Sequence, residues 1–103
     1  MKEKQQIVLV KRTRSSPLFS IEEIAARCGV GCSFIERLYR SGIIDPYPGS
    51  DRLFAPAVTL RVRKVCRLQD DLGINPEGAA IILDLVGRVQ ALEEHLSRLE
   101  RNS

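Results

Sequence analysis

The chain has 103 residues and a mass of 11.6 kDa, enough for one small domain with an appended element but not for two independent enzymatic folds. Apolar residues make up 44% and charged residues 28% of a chain with net charge +3, and no run of 18 apolar residues offers a membrane span. The first residues, MKEKQQ, lack the clean basic stretch of a signal peptide, so we expect a cytoplasmic protein with reduced cysteines.

The first predicted elements are a short strand and a well-signalled helix. The branched apolar run Ile7–Val10 lies between polar flanks, which favours a strand. Ser20 followed by Glu23 is a capping box, and Phe19 can pack on Ile24, so a helix is predicted to begin here. Its apolar positions continue at helical spacing up to a break at residues 29–31, Gly-Val-Gly.

A second short helix is predicted at about Cys32–Ser41, with Phe34, Ile35 and Leu38 turned inward and Gly42 closing it. Two helices joined by a tight turn within about twenty residues form a helix-turn-helix. Residues 43–54 then place two prolines and a Gly-Ser-Asp turn between apolar ends, which predicts a hairpin wing.

A third helix is predicted to begin near Pro56 and to end before Gly73. Its buried stripe is expected to consist of four apolar residues: Val58, Val62, Val65 and Leu72.

A fourth helix is predicted from Asn75 and Pro76 to the C-terminus, since an Asn cap and Pro at the first helical position form a strong start signal. At 1.5 Å per residue a helix from 76 to 101 is about 39 Å long, which exceeds a domain of this size. Its apolar residues repeat at alternating steps of three and four, the seam of a coiled coil: Ile82, Leu85, Val89, Leu92, Leu96 and Leu99. We expect this seam to form a homodimer; the alternative is that the helix folds back along its own domain.

The residues that carry chemistry argue against an enzyme and against a metal site. His95 is the single histidine and lies far along the chain from Cys28 and Cys32, so the spacing does not suit zinc. No serine or cysteine lies at a sequence spacing from His95 that indicates a nucleophile with its general base. We expect a non-enzymatic binding module without cofactor or metal, in which Cys28, Cys32 and Cys66 are small buried apolar groups.

The order of helix-turn-helix, wing, third helix and dimer helix resembles the MerR-type winged-helix regulators over about residues 18–100. The residues that carry the resemblance are Phe19–Ala25, Gly29-Val30, Gly42-Ile43 with Pro46, and Arg52-Leu53-Phe54. DNA-binding members of this family carry a Leu-Arg-Tyr-Tyr-Glu run on the second helix, where this chain has Ile35-Glu36-Arg37-Leu38-Tyr39. The expected arginine therefore falls on Glu36, and a carboxylate repels phosphate.

The sequence also resembles the CbpM-type chaperone modulators, MerR-like proteins that bind the J domain of a DnaJ/CbpA-like Hsp70 co-chaperone. The resemblance rests on residues 19–23, on 42–46, on the run 67–75 (RLQDDLGIN) and on 78–85 (GAAIILDL). It implies a mainly α fold: a MerR-like winged helix-turn-helix domain with an N-terminal strand and a wing hairpin over residues 1–74, and a coiled-coil dimerisation helix over 75–103. It implies inhibition of the co-chaperone by occlusion of its J domain, with no catalysis.

Charge supports a basic protein partner, because residues 15–51 hold three arginines and five acids, net −2. J domains of this family present a basic helix, and opposite potentials steer association. The candidate contacts are acids and aromatic anchors: Glu22, Glu23, Glu36, Asp45, and Tyr39 or Phe34. Glu22 and Glu23 also complement the dipole of the first helix, and Phe34 also suits a core position. For these three residues, partner contact and a purely structural role are both open.

The alternative function is that of a MerR-family DNA-binding transcriptional regulator. Basic side chains recur on the second and third helices and in the wing, and three more follow the first strand. The candidate DNA contacts are Arg37, Arg40, Arg52, Arg61 and Lys64, with Arg67, Lys11, Arg12 and Arg14 beside them. A solvated face is the commoner reason for such runs, and no aromatic residues interleave here to stack on bases.

Overall fold

The computed structural model describes residues 17–102. Four helices follow one another in the chain, α1 (Ile21–Cys28), α2 (Cys32–Arg40), α3 (Ala57–Leu72) and α4 (Pro76–Arg101). The chain divides within α3 into two compact units. The first ends at Arg63 and the second begins at Lys64. The predicted strand at residues 7–10 and the basic residues Lys11, Arg12 and Arg14 lie outside the described residues.

Helix α1 begins at the predicted capping box. The Ser20 hydroxyl accepts a hydrogen bond of 3.1 Å from the Glu23 backbone N–H, and the Glu23 carboxylate accepts one of 2.7 Å from the Ser20 backbone N–H. Two backbone donors of the first turn, which have no partner inside the helix, are thereby satisfied. The predicted start of the helix is confirmed.

The turn between α1 and α2 depends on a glycine. Gly29 has φ of 69°, a left-handed conformation that L residues with a Cβ adopt only at a cost, and Val30 N–H returns to the Ala25 carbonyl at 3.0 Å. Helix α2 starts at the next turn and ends before Gly42, whose φ is 76°. The helix-turn-helix predicted from residues 20–42 is confirmed.

The segment between α2 and α3 is a loop and not the predicted hairpin wing. Tyr47 N–H donates to the Leu53 carbonyl at 2.7 Å, and Phe54 pairs with Phe19 through two backbone hydrogen bonds of 2.8 Å, an isolated antiparallel bridge. No strand occurs within residues 17–102. Proline has no N–H to donate, so Pro46 and Pro48 prevent a ladder from extending along this side of the loop.

The core of the first unit is formed by apolar side chains from α1, α2, the loop and the start of α3. Thr59 is its one polar member among the described residues, and its hydroxyl donates to the Pro56 carbonyl at 2.6 Å. The buried apolar residues of this unit are Phe19, Ile21, Ile24, Ala25, Ile35, Leu38, Ile43, Ile44, Phe54 and Val62.

The buried stripe predicted on α3 is correct in part. Val62 and Val65 are fully buried and Val58 is half-buried, but Leu72 is 55% exposed. Leu72 is the last residue of α3, and Gly73 follows it in the left-handed conformation. No further turn of α3 shields its side chain, so the stripe ends earlier than predicted.

Helix α4 begins as predicted and continues for 26 residues. The Asn75 side chain accepts from Gly78 N–H at 2.7 Å, and Pro76 occupies the first turn. Pro76, Ala79 and Ala80 are buried, whereas each residue from 84 to 101 is exposed. Among the described residues, no helix has the length and apolar character that a membrane crossing requires.

Candidate partner-binding surface of the helix-turn-helix unit

The centre of the candidate surface is an ion pair between α2 and the loop that follows it. The Arg52 guanidinium donates to a Glu36 carboxylate oxygen at 2.7 Å, and the Arg40 guanidinium lies 3.7 Å from the other oxygen. The side chain of Glu36 retains 28% of its exposure, against 54% for Arg52 and 72% for Arg40. One carboxylate thus binds two arginines that sequence reasoning assigned to DNA.

An aromatic scaffold holds Arg52 in place beside Glu36. The Tyr39 hydroxyl donates to the Asp51 carbonyl at 2.8 Å, and the Arg52 guanidinium lies 5.7 Å from the centre of the Tyr39 ring. The same ring meets Phe54 edge to face with centroids 5.6 Å apart. Tyr39 therefore joins the loop to α2, and much of its apolar surface is used inside the protein.

The ion pair changes the acidity of both groups. The hydrogen bond from Arg52, aided by the positive charges of Arg52 and Arg40, lowers the pKa of Glu36 below its ordinary value of 4.5. The hydrogen bond to Glu36 raises the pKa of Arg52 in turn. Both groups are therefore charged at neutral pH.

The other predicted acidic contacts lie apart from this pair. Glu22 is exposed in the first turn of α1, and Asp45 is exposed in the loop after α2. Glu23 is exposed as well, but its carboxylate already serves the capping box. Phe34, the other proposed anchor, is half-buried.

The predicted basic contacts also occupy different environments. Arg37 is exposed on α2 and Lys64 is exposed on α3. Arg61 is half-buried, and its Nε donates to the Ile43 carbonyl at 2.6 Å, which joins the segment after α2 to α3. Arg52 and Arg61 therefore join separate segments of this unit, while Arg40 pairs with Glu36 on the same helix.

Sequence reasoning missed two partly exposed large side chains in the loop between α2 and α3. Tyr47 is 41% exposed and Leu53 is 40% exposed, and the hydrogen bond from Tyr47 N–H to the Leu53 carbonyl places them opposite each other. Leu53 lies in the run Arg52-Leu53-Phe54 that carries the MerR resemblance, and this run was the available signal. No local spacing predicts the exposure of Tyr47.

The cysteines differ from the prediction of three buried thiols. Cys28 is half-buried near the Thr59 carbonyl, at 3.7 Å, and burial raises its pKa despite the opposing charge of Arg63. Cys66 is half-buried, but Cys32 is exposed because it begins α2 on the solvent side of the turn. Within residues 17–102, no group of three metal-ligating side chains comes together.

The predicted coiled-coil seam is exposed on the single chain. Ile82 is half-buried, but the seam residues beyond it keep between 52% and 63% of their exposure: Leu85, Val89, Leu92, Leu96 and Leu99. Contiguous apolar surface of this kind is unusual on a monomer and marks an interaction site.

Comparison with known proteins places the chain in a family. No curated protein matches the sequence significantly. The model of the MerR HTH family of regulatory proteins matches residues 19–101, which include all four helices and the loop that holds Arg52. The chain is therefore a member of the MerR HTH family of regulatory proteins.

Proposed function

We propose that this protein is a non-enzymatic chaperone modulator that binds the J domain of a DnaJ/CbpA-like co-chaperone and inhibits its action on Hsp70. The observation that carries the proposal is the Glu36–Arg52 ion pair at 2.7 Å on the outer face of the helix-turn-helix. Family membership alone leaves the partner open, because a fold does not fix a function.

The ion pair weakens the case for DNA at the position where DNA contact is most needed. Affinity for duplex DNA depends largely on cations that neutralise phosphates. Arg40 and Arg52 are already neutralised in part by Glu36, and this carboxylate would approach the same phosphates. Such a surface therefore attracts the DNA backbone only weakly.

A protein partner with a basic surface is compatible with the exposed carboxylates of the first unit. Glu22 and Asp45 add exposed negative charge to the first unit, and Glu36 retains part of its exposure between its two arginines. The basic helix implied for the J domain would be attracted to the exposed carboxylates of Glu22 and Asp45, mainly through faster association. Glu36 then contributes by shaping the surface as well as by direct contact.

Tyr47 and Leu53 supply the apolar part of the proposed interface. Interfaces draw most of their affinity from a few packed apolar or aromatic side chains, and tyrosine is enriched among them. Both side chains keep about two fifths of their exposure in the loop that carries Arg52, where Leu53 directly follows Arg52 and Tyr47 N–H donates to the Leu53 carbonyl. Tyr39 is better explained as the residue that positions this loop.

One observation supports the alternative, a DNA-binding transcriptional regulator. Arg37 on α2 is exposed, and Lys64 on α3 is exposed as well. Both are side chains that phosphates attract.

The experiment is a salt titration of two binding reactions with the full chain. An isolated J domain and an arbitrary duplex DNA are each titrated at several salt concentrations, and Hsp70 ATPase stimulated by the J domain is measured in parallel. We expect saturable J-domain binding, loss of ATPase stimulation and weak DNA binding. Tight, steeply salt-dependent DNA binding without a J-domain response would establish the alternative instead.

Two variants locate the surface. Tyr47→Ala is expected to weaken J-domain binding about tenfold, since it removes an aromatic contact. Leu60→Ala is the matched control, because Leu60 is 56% exposed on α3 and lies outside the proposed surface. Equal effects of the two substitutions would remove Tyr47 from the interface.

A further inference from the structure

The two oxygens of the Glu36 carboxylate have different partners. Oε2 accepts the hydrogen bond of 2.7 Å from the Arg52 guanidinium, whereas Oε1 lies 3.7 Å from the Arg40 guanidinium. A separation of 3.7 Å is too long for a hydrogen bond. An ionised carboxylate has room for about four hydrogen bonds, so Oε1 retains the capacity to accept one.

We infer that Oε1 of Glu36 receives a lysine or arginine side chain from the basic partner, and that Arg40 is the internal cation which this side chain replaces. Arg52 stays on Oε2 and acts as a positioning residue. The inference rests on the proposed function and deepens it, because it names the contact that selects a basic partner.

Arg40 is held loosely enough to be replaced. Its side chain keeps 72% of its exposure, and its pair with Glu36 spans one turn of α2. Exposed pairs of this kind contribute little, because the attraction is weak in water and is offset by the ordering of a long side chain. The Arg40 guanidinium can therefore move into solvent at small cost. A partner cation in its place leaves the charge balance at Glu36 unchanged.

Arg52 is held more firmly, so it is not the cation that leaves. It donates to Glu36 at 2.7 Å, and its guanidinium lies 5.7 Å from the centre of the Tyr39 ring. The loop backbone beside it is fixed by the hydrogen bond from the Tyr39 hydroxyl to the Asp51 carbonyl. Charge-assisted bonds of such length are about twice as strong as neutral ones. Arg52 thus keeps the Glu36 carboxylate in one orientation.

The charges around Glu36 are compatible with an incoming cation. The hydrogen bond from Arg52, aided by the charges of Arg52 and Arg40, lowers the pKa of Glu36, so its carboxylate is ionised at neutral pH. The pKa of Arg52 is raised mainly by Glu36, and the negative charge of Glu22 on α1 adds to the effect. Two carboxylates therefore balance Arg52, which reduces its repulsion of an approaching lysine or arginine.

A double-mutant cycle with an isolated J domain tests the exchange. Arg40→Gln is prepared in the native chain and in a Glu36→Gln background, and the Kd for the J domain is measured by calorimetry. We expect Arg40→Gln to tighten binding about threefold in the native background, because the internal competitor for Oε1 is gone. Without the Glu36 carboxylate, most of this gain should disappear.

Arg37→Gln is the matched control for charge. It removes one positive charge from an exposed position on α2, directly after Glu36. Its effect on J-domain affinity should be smaller than that of Arg40→Gln and equal in the two backgrounds. Equal gains from the two substitutions, or a gain from Arg40→Gln that persists in full without Glu36, would show only general charge attraction and would overturn the inference.

NMR of the arginine Nε–H groups distinguishes the two arginines directly. On saturation of the native chain with J domain, the Arg40 signal should move to the position of a solvated arginine, while the Arg52 signal is retained. Arg52→Gln removes the same charge but releases the carboxylate, so its gain in affinity should be smaller than that of Arg40→Gln. An unmoved Arg40 signal, or a larger gain from Arg52→Gln, would overturn the assignment of Arg40 as the replaced cation.

Failure of the proposed function gives a different result from failure of this inference. If neither the native chain nor any variant binds the J domain, the proposed function is wrong and the inference is wrong with it. If the native chain binds the J domain and Arg40→Gln leaves the Kd unchanged, the proposed function stands and this inference alone is wrong.

Discussion

Glu36 on α2 and Arg52 in the loop are sixteen residues apart in the sequence and 2.7 Å apart in the fold. The pair joins the second helix of the helix-turn-helix to the segment that MerR-type proteins use as a wing. It lies where a DNA-binding member of the family needs free cations. The proposal of a protein partner follows from this relationship and from the neighbouring exposed side chains of Tyr47 and Leu53.

The acidity of Glu36 gives a direct check of the ion pair in solution. Its pKa is lower in the folded than in the unfolded chain, so its stabilisation is present above the ordinary value of 4.5 and is lost as pH falls through the lower folded value. We expect a carboxyl NMR titration to give a midpoint for Glu36 below 4.5. Arg52→Gln should raise this midpoint more than Arg40→Gln, because Arg40 lies at 3.7 Å. Equal effects of the two substitutions would contradict the geometry.

The N-cap of α1 contributes measurably to stability. Ser20→Ala removes the acceptor for the Glu23 N–H and should lower the free energy of unfolding by about 1 kcal/mol in a denaturant titration. Ser20→Asp retains an acceptor at the cap and serves as the control. If the aspartate variant loses as much stability as the alanine variant, the cap is not the cause.

Phe54 is the side chain on which the loop depends. It is fully buried, its backbone pairs with Phe19 and its ring meets Tyr39. Phe54→Ala should lower the free energy of unfolding by about 3 to 5 kcal/mol, as expected for a large side chain deleted from a core. Leu53→Ala, at the adjacent and 40% exposed position, should change it by less than about 1 kcal/mol. Similar losses of unfolding free energy in the two variants would show that Phe54 does not anchor the loop in the core.

The seam on α4 predicts a dimer that a single charge disrupts. Leu92→Lys places an ammonium group in the middle of the seam and should convert the dimer to a monomer in sedimentation velocity. Gln90→Lys adds the same charge at an exposed position beside the seam and should leave the dimer intact. Dissociation by both substitutions would mean that net charge, not the seam, governs association.

Helix boundaries could be predicted from the sequence because their signals act within four residues. The Ser20–Glu23 box, the Asn75 cap and the glycine at position 29 need no knowledge of the rest of the fold. Features that depend on distant parts of the chain could not be predicted in the same way. The partner of Glu36 and the lack of strands in residues 43–54 result from how separate segments meet.

The candidate site was predictable in outline and not in its contacts. The position of Glu36 in the second helix singles it out, but sequence spacing could not show that Arg40 and Arg52 bind it. Arg61 was assigned to DNA on helical spacing, yet it donates to the Ile43 carbonyl. The sequence shows which residues are charged, while the fold decides which of them already have partners.

The most direct measurement for the central claim is the affinity of the Glu36→Lys variant for an isolated J domain and for duplex DNA, each compared with the native chain. The substitution breaks the pair with Arg52 and leaves three cations together, while Glu94→Lys on α4 makes the same change in net charge elsewhere. We expect Glu36→Lys to weaken J-domain binding at least about tenfold and to strengthen DNA binding, with helicity unchanged by circular dichroism and little effect of Glu94→Lys. Undiminished J-domain affinity in the Glu36→Lys variant, or tight DNA binding by the native chain without J-domain binding, would contradict the account.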